Sequence, residues 1–231
     1  MIHTGDHRYW LVLPFFAACL SAVGADPEVK AGGIVLTLPG PANDFADAGD
    51  KLRTTFFELL VPSNNRLLSA YVPAKTRMEA SGGKMPPGLD AYAMVEVSRQ
   101  AEYTDCTPQA FEQVLKSVEP SMGKLDAKKI GELEQELNIH LKSLSKRPIQ
   151  VGHPEMLGAI FQKSNAAGFA MLMAVKEDDR SDTMAGGIAL LRVKQRLIFA
   201  YLYRKYESPD TVSWLGKNLE AWCDAILAKN N

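Results

Sequence analysis

Gly187-Ile188-Ala189-Leu190-Leu191-Arg192-Val193, then Lys194-Gln195-Arg196, then Leu197-Ile198-Phe199-Ala200-Tyr201-Leu202-Tyr203 is the stretch whose reading decides the fold. Two runs of aliphatic and aromatic residues flank three polar ones, which predicts a β-hairpin turning at Lys194-Gln195-Arg196. A connection that short joins only antiparallel strands. Side chains alternate across a strand, so Tyr201 and Tyr203 share the face of Leu197 and Phe199, and most of that face is core.

The same pattern extends upstream. Glu155 to Gln162 and Gly168 to Val175 flank Asn165-Ala166-Ala167 and read as a second hairpin. Phe169-Ala170-Met171-Leu172-Met173-Ala174-Val175 is the longest apolar run after the N-terminus and reads as a buried strand. Lys176 to Asp182 reads as a solvated charged loop between the hairpins. Ala91 to Arg99 is a further strand, with Tyr92, Met94 and Glu96 on one face and Ala93, Val95 and Val97 on the other. Ile34 to Leu38 is a first strand, stopped by Pro39-Gly40-Pro41. Residues 42–55 read as a loop or short helix. Phe56 to Val61 and Arg66 to Val72 read as a hairpin around the turn chemistry of Pro62-Ser63-Asn64-Asn65. Ser81 to Gly88 reads as an exposed loop, and no internal repeat is present.

Helices fall in the middle and at the end. Thr107-Pro108 is an N-cap with proline at the first helical position, followed by Phe111, Val114, Leu115 and Val118 at helical spacing up to Pro120. Asp126 caps a second helix whose stripe is Ile130, Leu133, Leu137, Leu141 and Leu144, closed by Pro148. Ser208-Pro209-Asp210 starts the last helix, with Val212, Leu215, Leu219, Trp222 and Ile226 on its buried face. The expected class is α+β: an antiparallel β-sheet of hairpins packed by two central helices and a C-terminal helix. This order of elements, over most of residues 33–230, resembles the PsbP-like α–β–α sandwich. The resemblance implies a fold used by non-catalytic accessory and binding proteins, many of them exported.

The first 25 residues are set apart. Arg8 precedes a stretch without charge from Tyr9 to Val23, and Val23-Gly24-Ala25 puts small residues at both specificity positions of a signal peptidase. Residues 1–25 are therefore expected to be a signal peptide cleaved after Ala25, leaving residues 26–231 as a single α+β domain, secreted or periplasmic. The apolar run is shorter than the roughly 20 residues of a spanning helix, so no membrane span is expected after cleavage. An alternative is lipid anchoring through Cys19, which Ala17-Ala18 precede as in a lipobox. The 231-residue chain has 26 Lys+Arg and 27 Asp+Glu, a formal charge of −1, which lacks the basic field that nucleic-acid binding needs.

The remaining candidate chemistry is sparse. Cys106 and Cys223 can pair in an oxidising compartment or stand as separate buried thiols. His140 and His153 lack neighbours at metal-ligand spacing, so no metal and no cofactor is expected. Met171-x-Met173 puts two thioethers on one strand face, a pattern that suits Cu(I), but its flanks read as core. Asp44, Asp47 and Asp50 lack the spacing of a calcium loop. No nucleophile elbow, phosphate loop or dinucleotide fingerprint occurs, and Gly32-Gly33 and Gly186-Gly187 read as bulges or strand entries. Arg192, Lys194 and Arg196 could form an anion patch or an ordinary charged turn. Two functions are left open. One is an exported, non-catalytic accessory domain binding an unknown protein or small molecule. The other is an exported hydrolase assembled from distant residues, with Asp105, His153 and Glu155 as first suspects.

Overall fold

In the computed structural model the chain is described over residues 26–42, 44–81, 89–122, 131–132, 134–136, 138–139, 149–177 and 180–231. Residues 1–25, with Cys19 and Ala25 and the expected cleavage site, all of 82–88, His140 and most of 126–147 lie outside them. The strands in chain order are β1 (Glu28–Ala31), β2 (Ile34–Thr37), β3 (Phe45–Asp47), β4 (Asn65–Pro73), β5 (Ala91–Ser98), β6 (Ile149–Val151), β7 (Glu155–Gln162), β8 (Ala166–Glu177), β9 (Arg180–Val193) and β10 (Arg196–Lys205). The helices are α1 (Gly49–Leu52), which continues through a π-helical turn (Arg53–Phe57) into α2 (Glu58–Leu60), then α3 (Ala74–Ser81), α4 (Pro108–Met122) and α5 (Pro209–Lys229). Gly131, Glu132, Glu134–Glu136 and Asn138–Ile139 are also helical, within the expected second central helix.

β1 and β2 form their own two-stranded sheet; the rest form an antiparallel sheet in the order β3-β4-β5-β10-β9-β8, with β6 and β7 both along the outer edge of β8. The class is the α+β arrangement expected from the hairpins. Helices cover both sheet faces. On the first, Leu215, Leu219, Trp222 and Ile226 of α5 pack on Ala189, Leu191, Ile198, Ala200 and Leu202. Gly187 makes this approach possible, because a Cβ there would sit 2.8 Å from the Leu215 side chain and 2.9 Å from that of Leu219. On the second face, Phe111 and Leu115 of α4 cover Ala167, Phe169 and Leu190, while Leu52 and Phe57 cover Ala70, Val72, Met94 and Tyr203.

Two of the three predicted helix starts appear, and the third, at Asp126, lies outside the described residues. Thr107 Oγ1 accepts from the Ala110 N–H at 3.1 Å, and the Thr211 hydroxyl accepts from the N–H groups of Glu207 and Ser208. The β1–β2 hairpin is fastened across the end of α5. Asn230 exchanges hydrogen bonds with both backbone groups of Thr37, and Trp222 Nε1 donates to Pro39 O at 2.7 Å.

Several local expectations are corrected. Phe56 to Val61 is helical to Leu60 rather than a strand. Its five apolar positions around one Glu fit either period, and the helical segment buries Leu52 and Phe57 while Glu58 faces water. Within the expected charged loop, Lys176, Glu177 and Arg180 to Asp182 are strand: β8 and β9 run on with Lys176 opposite Ser181 and Glu177 opposite Arg180, and Asp178 and Asp179 lie outside the described residues. The ladder bonds belong to the backbone, so charged side chains can hang off a strand end. Arg196 belongs to β10, and the turn is the two residues Lys194 and Gln195, at φ 45° and 64°. α4 continues past Pro120 to Met122. Gly32-Gly33 is the β1–β2 turn, at φ 54° and 80°, and Gly186-Gly187 lies within β9 rather than at a bulge. β1, β3, β6 and α3 lie outside the expected elements, being short or without a distinctive sequence signal, and β3 falls in the 42–55 stretch expected to be loop or short helix.

Candidate functional site

The strand registers place the second face as a grid. One row runs Ala167–Leu190–Phe199–Glu96–Leu67 across β8, β9, β10, β5 and β4. The next runs Phe169–Ile188–Tyr201–Met94–Ala70, and the next Met156–Met171–Gly186–Tyr203–Tyr92 from β7 to β5. Between the cover of α4 and that of the α1–α2 segment, Tyr92, Ile188, Tyr201, Met156 and Met173 are only half-buried. The three tyrosines form a ladder, Tyr92 on Tyr203 at 4.7 Å and Tyr203 on Tyr201 at 6.4 Å between ring centroids, both stacked. Phe56 and Phe57 abut Tyr92 at its other end.

Glu96 is the anomaly in this apolar frame. It is 1% exposed, flanked by Phe199 and Leu67, and its Oε2 accepts from Asn65 Nδ2 at 2.8 Å. The bonded partner is an amide, not a cation. Burial pushes the carboxyl up to about 7, against the smaller downward pull of the Asn65 hydrogen bond. The phenols of Tyr92, Tyr201 and Tyr203 are pushed well above their ordinary range by the same burial, with the Glu96 charge adding to it. At neutral pH the face thus offers three neutral phenols and one carboxyl poised between donor and acceptor. The sequence already put Glu96 beside Tyr92 and Met94. A charge at an apolar position of a strand was the signal that singles it out.

The suspected hydrolytic residues are not brought together. Cys106 N donates to Gln195 O, which holds neighbouring Asp105 at the β9–β10 turn, where it pairs with Arg196 at 2.5 Å. Glu155 pairs with Leu172, itself opposite Ala185. Ala185 and Val193 of β9 are roughly 26 Å apart at the rise of a strand. His153 stands near that far end, exposed, with Nδ1 3.6 Å from Glu134.

The basic trio is likewise dispersed. Arg196 is 7% exposed and paired with Asp105, Lys194 Nζ donates to Val35 O, and Arg192 Nε donates to Asn165 Oδ1. Alternation points Arg192 and Arg196 to opposite faces, so the three form no anion patch. Beside them Glu102 takes hydrogen bonds from Arg66 and from the Gly32 N–H, clamping the β1–β2 turn to the sheet. Cys106 and Cys223 are free thiols. Cys106 packs with Phe111 under α4 and Cys223 with α5 on the other face, so the sheet itself separates them and the pair does not form. Met171 lies in the core of the second face, and Met173 packs half-buried against it. No group of three or more His, Cys, Asp or Glu among the described residues could hold a metal ion, and no helix among them is long and apolar enough to cross a membrane.

No family model matches the chain, and no curated protein matches it. Among solved structures it is similar to a mutant of the protein Mog1, at 15% identity over 90% of this chain and 93% of that one, with a TM-score of 0.29. It is similar also to the Saccharomyces cerevisiae Ran-binding protein Mog1p, at 15% identity over 89% and 92% of the two chains, with the same TM-score of 0.29. A likeness at that TM-score carries no weight for the function of this chain.

Proposed function

We propose that the protein is an exported, non-catalytic accessory domain that binds a small, largely apolar molecule on the tyrosine-lined face of its sheet. The observation that carries this reading is Glu96, a buried carboxyl whose hydrogen-bond partner is the Asn65 amide, on the same sheet face as half-buried Tyr201 and Tyr92. Ligand sites are mostly apolar surfaces with a few placed polar groups, and a perturbed acid among aromatics has that composition. The resemblance of the sequence's element order to that of PsbP-like proteins leans the same way. Asp105 stands at the β9–β10 turn, far from His153 and Glu155, so the three suspects of the hydrolase reading do not share a site. Export rests on the uncharged run before Val23-Gly24-Ala25.

Two measurements test the two halves. Mass spectrometry of exported protein should find a chain beginning at Asp26. An intact Met1 or an acylated Cys19 would overturn cleavage after Ala25. For binding, Nile red serves as a neutral apolar probe of the mature protein. Saturable one-to-one fluorescence is expected, weakened at least tenfold by Tyr201→Ala while the emission of Trp214 and Trp222 in the protein without probe is unchanged. Non-saturating fluorescence, or equal binding by Tyr201→Ala, would sink the assignment of this face.

A further inference from the structure

We propose that Met156, Met171, Met173 and Met184 form a thioether site for a soft monovalent metal ion, Cu(I) or its analogue Ag(I). The inference stands apart from the apolar-ligand reading. Along the chain only Met171 and Met173 are paired, as residues i and i+2 of β8, and two thioethers in a buried strand read as packing. Cross-strand register changes that count. Met156 of β7 lies directly opposite Met171, and Met184 of β9 lies directly opposite Met173. Antiparallel partners share a face, so four methionines occupy adjoining positions on three neighbouring strands.

Directly opposed Cβ atoms in an antiparallel pair are about 5 Å apart. Three rotatable bonds then let each thioether swing toward a common point between the strands. Gly186 carries no side chain, and the Met171 Cε methyl and the Tyr203 ring edge take the space over it, where a Cβ would fall 2.9 and 2.8 Å from them. Met171 and Met184 are buried, whereas Met156 and Met173 are only half-buried, which gives an ion a way in from the open side of the face. The donor set also selects the ion. Thioethers are neutral and soft, so they suit Cu(I) and Ag(I) and offer little to Zn(II), Ca(II) or Mg(II). Four neutral donors keep the net charge of the bound ion at +1, which favours a monovalent cation over a divalent one. Binding is plain coordination: no bond breaks, no electron moves, and the ion arrives already monovalent. The two thiols are poor competitors, since Cys106 and Cys223 are both buried under helices.

The test uses mature protein carrying ¹³C in the methionine methyl groups, titrated with silver nitrate in chloride-free buffer. One equivalent of Ag(I) is expected to shift the methyl signals of Met156, Met171, Met173 and Met184 and to leave Met78, 74% exposed on α3, in place. Met173→Leu, which nearly conserves volume, should lower the Ag(I) affinity at least tenfold without changing the melting temperature. Silver bound with the four methyl signals unmoved, or with Met78 shifting alongside them, would overturn the site, as would absence of stoichiometric binding. The methyl shifts decide the matter on the unaltered protein even where a variant folds poorly.

Discussion

Replacing Glu96 by glutamine should change how stability responds to pH more than any other single substitution on the sheet. The carboxyl is 1% exposed and burial pushes it up to about 7. The native state therefore holds a proton that the unfolded chain, near its ordinary value of 4.5, has already released. Where the native state binds more protons, stability falls as pH rises. The contribution is intact below about pH 4.5 and is lost as pH climbs to about 7, where the buried charge finally forms. A shift of that size corresponds to about 3 kcal/mol in full, of which about 2.5 kcal/mol is lost between pH 5 and pH 8. Glutamine stays neutral at every pH and its amide oxygen can still accept from Asn65. Urea unfolding of both proteins at pH 5 and pH 8 isolates the group. The unfolding free energy of Glu96→Gln minus that of the parent should grow by about 2–3 kcal/mol from pH 5 to pH 8. Glu102 does not intrude, because Arg66 holds its carboxyl below the usual range and its contribution is lost only at lower pH. Parallel curves across this window, or a difference that grows toward acid, would refute the account of Glu96 as a buried acid without a compensating charge.

Two further substitutions probe the frame around the site. Trp222→Ala removes a side chain that is 1% exposed, stacks edge-on to Tyr71 and donates to Pro39 O, so chemical denaturation should show a loss of about 3–5 kcal/mol. Lys194→Asn combined with Gln195→Gly puts residues suited to positive φ where the turn requires 45° and 64°; the melt should rise, by about 1 kcal/mol of stability, and an unchanged or lowered melt would show that the turn is not built as described.

How far the residues alone reach is clearest from particular elements. The alternation that put Tyr92, Met94 and Glu96 on one face of β5, and Tyr201 and Tyr203 with Phe199 on one face of β10, is what the folded sheet displays. So are the caps at Thr107 and Ser208 and the stripe that docks α5. These are short-range properties: side-chain period, capping chemistry and proline placement act over a few residues and need no partner to be recognised. The strand reading of Phe56 to Val61 failed for the complementary reason, since six residues are too few for periodicity to separate helix from strand, and the choice falls to what Leu52 and Phe57 can bury against. The separation of Cys106 from Cys223, the dispersal of Asp105, His153 and Glu155, and the meeting of Met156 with Met171 and of Met173 with Met184 were decided only by the tertiary structure. Each depends on which strands are neighbours and in what register, on either side of two bulges in β7, and no local period encodes a pairing between distant segments. Glu96 stands between the two: its face was legible from alternation, but its unusual acidity comes from the cover of strands and helices closing over it.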